Sequence, residues 1–150
     1  MVFKLPTSPK RLPLITLLYG VSAFFWLSIE DTGWLVIVFG IGLALLVIAH
    51  GLFRLGGMGD RRLPAWMWLP VAAGIGALTG VSSIAATLLL MLIKISLHGH
   101  LYPDYTFPLM SGLAARLPAW TLAGLLIGLA AGLAFYGRRR GPSDEPGAGS

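Results

Sequence analysis

The chain contains no cysteine, which excludes disulfides, thiolate metal centres, cysteine nucleophiles and thiol redox chemistry. Charge is scarce as well: 11% of residues are charged, against about a quarter in soluble domains, and only six are acidic. The middle of each apolar run holds no ionisable residue, which argues against a self-sufficient ion pump, since a continuous path needs such a group near mid-membrane. Signature motifs are missing too. There is no H-E-x-x-H and no G-x-S-x-G elbow around Ser82, Ser83 or Thr87, and the glycines of GLFRLGGMGD lack the lysine and preceding strand of a phosphate loop. A defined enzyme therefore has little support, and no cofactor is expected.

What is present is apolar. Hydrophobic residues make up 56% of the 150, and the mean hydropathy is +0.80. The expected fold class is all-α: a polytopic membrane protein with four transmembrane helices arranged as two hairpins, and a short outer interfacial helix between helices 3 and 4. A basic leader occupies 1–11, the transmembrane domain 12–137, and a disordered cytoplasmic tail 138–150. The spans are expected at about 12–29, 33–53, 70–94 and 119–136. The first follows a basic leader but has no small-x-small cleavage site, so it reads as an uncleaved span rather than a signal peptide. Asp31 or Thr32 caps the second, Trp66 and Trp68 between Pro64 and Pro70 anchor the third at the headgroups, and Pro118 ends the interfacial helix.

Orientation follows from charge. Lys4, Lys10, Arg11, Arg54, Arg61, Arg62, Arg138, Arg139 and Arg140 fall on the side of the termini, leaving Lys94 and Arg116 on the other. Nine basic residues against two is a positive-inside pattern that puts both termini in the cytoplasm and the protein in the plasma (cytoplasmic) membrane. The same residues are spread over three segments that meet only at the membrane surface, so they suit anionic headgroups and not nucleic acid.

Two groups of residues stand out. Gly76, Gly80, Ser83 and Thr87 fall on one small, polar face of the third span, while Gly124, Gly128 and Gly132 form a double GxxxG in the fourth. Both are expected to be packing seams, with Ser82, Ser83 and Thr87 donating hydrogen bonds between helices or, for the GxxxG face, joining two copies of the chain. The second group is an outer polar cluster: Lys94, His98, His100 and Asp104, with Glu30, Asp31 and Arg116 on the same face.

The ordinary reading of that cluster is a lysine snorkelling to the interface and histidines on a wet loop. Against it, Lys94 and His98 continue the small face and so point into the bundle mouth, with Glu30 the natural partner of Lys94. His98, His100 and Asp104 are metal-ligand types, but a cation one helical turn below His98 disfavours a metal. His50 lies near the opposite face, a membrane thickness from the other histidines, and is expected to be interfacial. The expected role is a structural, accessory or assembly subunit of a membrane complex, with a membrane-protein partner or a homo-oligomer. The alternative is a proton- or cation-responsive transport component built on the outer Glu/Lys/His cluster.

Overall fold

The computed structural model describes residues 2–4, 9–29, 33–57, 62–98 and 104–139. Helices dominate: α1 (Leu12–Leu27), α2 (Leu35–Gly57), α3 (Ala65–His98), α4 (Phe107–Ala114) and α5 (Leu117–Arg139). A three-residue strand, β1 (Val2–Lys4), pairs antiparallel with β2 (Arg62–Pro64), joining Val2 to Pro64 and Lys4 to Arg62. Neither strand was expected from the sequence. Three helices are long and apolar enough to cross a membrane, within 35–56, 67–98 and 117–137. Many Leu, Ile, Val and Phe side chains on these helices are turned outward, and the helical hydrogen bonds keep the backbone satisfied through their middles, as lipid requires. The chain is a multi-pass membrane protein.

Helix ends depart from the expected spans for local reasons. α1 stops at Leu27 and not residue 29, closing with Ser28 N–H on Phe25 O and Ile29 N–H on Trp26 O, both 3.1 Å. Its 16 residues reach about 24 Å, short of the ~30 Å hydrocarbon core. α2 starts at Leu35 and continues past Phe53 to Gly57, because Arg54 and Leu55 are good helix formers and the glycine pair comes only after them. α3 begins at Ala65, so Trp66, Trp68 and Pro70 belong to its first turns and not to a preceding loop. Pro70 lies close enough to the helix start that a single ladder bond is forgone. Pro118 opens α5 rather than ending α4, in the first turn, where a missing N–H is harmless. α5 also extends to Arg139, past the expected end of the span.

α3 is the hub, packed along one side by α5 and along another by α2. Its contact with α5 is backbone on backbone. A Cβ added to Gly76 would strike Gly124 O and come within 2.9 Å of Gly128 Cα, one on Gly80 would strike Trp120 O, and one on Gly128 would strike Ala72 O. The antiparallel pairs 80/120, 76/124 and 72/128 thus repeat every four residues, and Gly132 continues the series against Ala72 and Leu69. Trp68 and Phe135 close that end, their rings 5.2 Å apart.

α2 offers two glycines to two neighbours. Gly40 faces α3, where an added Cβ would strike the Thr87 hydroxyl and come within 2.8 Å of Thr87 Cα; Gly42 faces Tyr19 of α1 at 2.8 Å. Gly40→Val is expected to drive α2 off α3 and cut the yield of folded protein in detergent, while Gly51→Ala, where an added Cβ meets nothing, leaves it unchanged.

α1 stands off from α2 and is joined to it by aromatic side chains. The Tyr19 hydroxyl donates to Phe39 O at 2.7 Å, and the two rings meet edge to face at 5.9 Å. Tyr19→Phe is expected to cost about 1 kcal/mol in reversible unfolding, since Phe39 O already holds its helical bond and only the hydroxyl contact is lost.

Candidate functional site

Lys94 is wholly enclosed, with 0% of its surface exposed. The expectation of a snorkelling lysine is overturned: α3 runs a further turn to His98, and Lys94 lies on the face turned to the other helices, not to lipid. Its Nζ sits 4.5 Å from the centre of the Trp26 ring, over the negative face of the indole. Trp26 is itself buried and stacks on Phe39, with centroids 4.8 Å apart and planes at 25°. Lys94 from α3, Trp26 from α1, Phe39 from α2 and Tyr19 from α1 therefore form one continuous stack through three helices. A desolvated ammonium on an aromatic face is worth ~2 kcal/mol, more than a surface ion pair.

One turn above Lys94, His98 Nδ1 lies 2.8 Å from Asp104 Oδ2, both side chains mostly covered. An ionised carboxylate only accepts, so Nδ1–H is the donor. The bond holds Asp104 against the end of α3, and the next residue, Tyr105, is almost fully buried in a core with Trp26, Val36, Ile84, Leu90, Met91 and Leu113. Leu113 brings α4 onto the same core, and Met110 packs against it, while Phe107 stays exposed. The end of the bundle is capped by Tyr105 and α4. Asp104→Asn is expected to loosen this cap, seen as faster proteolytic cleavage between α3 and α4 with α2, α3 and α5 still folded.

Other residues singled out in the sequence are placed as follows. Arg116 is exposed in the short link between α4 and α5, its carbonyl accepting Trp120 N–H at 3.1 Å. Glu30, Asp31, Thr32 and His100 lie outside the described residues. No three metal-ligating side chains come together among the described residues.

Ser83 and Thr87 do not bond across helices as expected. Ser83 donates to Thr79 O at 2.8 Å and Thr87 to Ser83 O at 2.7 Å, each back to the preceding turn. Opposite Thr87 the facing helix offers Gly40, with no side chain to accept its hydroxyl, so Thr87 is satisfied within its own helix. His50 does the same, its Nδ1 2.9 Å from Leu46 O.

No known family, characterised protein or solved structure matches this chain. The geometry must carry the functional reading unaided. It holds a cation in an aromatic, water-excluded socket, a His–Asp pair above it, and a closed glycine seam below. Trp26, Phe39, Tyr105 and Gly40 were not singled out by sequence. Only the small pair in Phe39-Gly40-Ile41-Gly42 could have signalled a close approach.

Proposed function

We propose that the protein is a structural, accessory or assembly subunit of a membrane complex, non-catalytic in itself. The observation that carries this reading is the closed interior. Lys94 is sealed beneath Trp26, and the α3–α5 seam below is filled by direct backbone contact at Gly76, Gly80, Gly124 and Gly128. The outward faces of α2, α3 and α5 remain available to lipid and to another membrane protein.

The proposed topology has four spans in two hairpins, both termini in the cytoplasm, α4 at the outer interface and the whole in the cell membrane. The β1–β2 ladder supports it by joining the start of the chain to the link between α2 and α3 at one end of the bundle, as two crossings between them require. The nine-to-two distribution of basic residues supports the orientation. Because the chain has no cysteine, single introduced cysteines give a clean test. Lys10→Cys should label with an impermeant maleimide only after the membrane is opened, and Arg116→Cys from outside; the reverse pattern would overturn the orientation.

Glu30 is the proposed partner of Lys94, four residues beyond the Trp26 that covers it. Coupling between Glu30→Gln and Lys94→Met in a double-mutant cycle supports the pair, and additive losses would refute it. A second reading, a proton- or cation-responsive component, draws on the His98–Asp104 pair directly above a buried lysine. Purification in mild detergent, with protein partners and metals measured on one sample, separates the two. A stoichiometric partner without metal supports the subunit. A lone oligomer carrying metal, or showing pH behaviour abolished by His98→Ala, supports the responsive component.

A further inference from the structure

Where α1 stands off from α2, the two leave an open groove of about 790 Å³, lined by Pro13, Thr16, Leu17, Gly20 and Phe24 of α1 and by His50 of α2. Its walls are almost wholly apolar. One end is not: Lys10 and Arg11 immediately precede α1, and Arg54 follows His50 by one helical turn on the same face of α2. All three cations are exposed. From Pro13 to Phe24 the groove runs about 16 Å along α1, the depth of one leaflet of a ~30 Å hydrocarbon core.

We infer that this groove holds one anionic phospholipid, its acyl chain along Gly20 and Phe24 and its phosphate at the mouth between Lys10, Arg11 and Arg54. The inference rests on α1 lying in the membrane, as in the proposed topology. Two observations select this occupant. The length matches one leaflet, and the exposed cations stand at a single end with the sign of a phosphate's partner. A transmembrane helix from another protein would fit the apolar walls but would have no use for three exposed cations at that one end of the hairpin. Gly20 makes room for the chain: a Cβ added there meets nothing within 4 Å, so the space above it is open rather than filled by α2. His50 spends its Nδ1 on Leu46 O, which leaves the imidazole as a flat wall at the headgroup level.

The test is lipid retention by the full chain. Protein is reconstituted in phosphatidylcholine vesicles with and without phosphatidylglycerol, extracted in mild detergent, washed, and weighed by native mass spectrometry. One phosphatidylglycerol per chain should survive the wash. Gly20→Leu, which fills the groove without touching α2, should abolish it, and Arg11→Gln or Arg54→Gln should each weaken it about fivefold. Equal retention of phosphatidylcholine, or retention unaffected by all three variants, would overturn the site, as would a cross-link from Leu17 to a second protein in native membranes. Leu18→Cys, on the exposed side of α1, tests the underlying topology separately. Shielding from aqueous maleimide keeps α1 in the membrane whatever the lipid result, and free labelling would remove it.

Discussion

Gly76→Leu is expected to separate α3 from α5 and to be among the most damaging single substitutions in the bundle. The added Cβ alone would overlap Gly124 O and crowd Gly128 Cα, and neither is a side chain that can rotate away. Relief requires moving a whole helix, so the loss should be at least about 3 kcal/mol, at the upper end of what overpacking costs. Gly74 provides an internal control two residues away: a Cβ there meets nothing within 4 Å, and Gly74→Leu should leave thermal unfolding in detergent unchanged or slightly raised, because leucine is the better helix former. A comparable fall in both variants would mean that glycine flexibility, and not close approach, is what α3 needs.

The second large effect concerns Lys94. Lys94→Glu would place a carboxylate in a water-excluded site against the negative face of Trp26, and the folded protein should not accumulate. Lys94→Met keeps the length and removes the charge, for an expected loss of about 2 kcal/mol from the cation–aromatic contact. Trp26→Leu removes the same contact and the stack on Phe39, so it should cost more. If the contact is as direct as the 4.5 Å separation indicates, the double variant should fall short of the summed losses by about 1–2 kcal/mol. Strict additivity in reversible unfolding would show that Lys94 and Trp26 are stabilised independently.

These two sites differ in how far they can be read from sequence. Glycines four residues apart announce a surface stripped of side chains, because the period of the helix alone decides it; the stripe in α3 and the stripe in α5 were both visible. Their mutual register, Gly76 opposite Gly124, depends on how the link through α4 returns the chain and is not contained in either stripe. Lys94 is harder. Its place near the end of a long apolar run is compatible with snorkelling into the headgroups or with enclosure, and the choice rests on an aromatic ring delivered from α1. The hydroxyl of Thr87 illustrates the same limit, since bonding across a seam or back to the preceding turn is decided by what the facing helix presents, here Gly40. Proline was misread where position matters more than identity: Pro70 and Pro118 sit within helices whose starts lie several residues earlier or one residue earlier, respectively.

The sequence puts His98 and Asp104 in one polar cluster, with His98 continuing the small face of α3, but gives no sign that the two bond to each other. The structural meaning of the pair came from Tyr105, an aromatic that the sequence leaves unremarkable and that is buried in the core next to the bonded Asp104. An end capped by Tyr105 and α4 presents a fixed shape, which suits the proposed subunit better than a gate.

The most direct test of the subunit role is the membrane proteome of cells lacking the protein, compared with cells complemented by the wild-type chain or by His98→Ala. The expected result is a fall in one other membrane complex on deletion, restored equally by both chains, because the role lies in assembly and not in proton handling at His98. An unchanged membrane proteome, together with a pH-dependent flux or growth defect that the wild-type chain restores and His98→Ala does not, would contradict it and make the outer cluster the working part of the molecule.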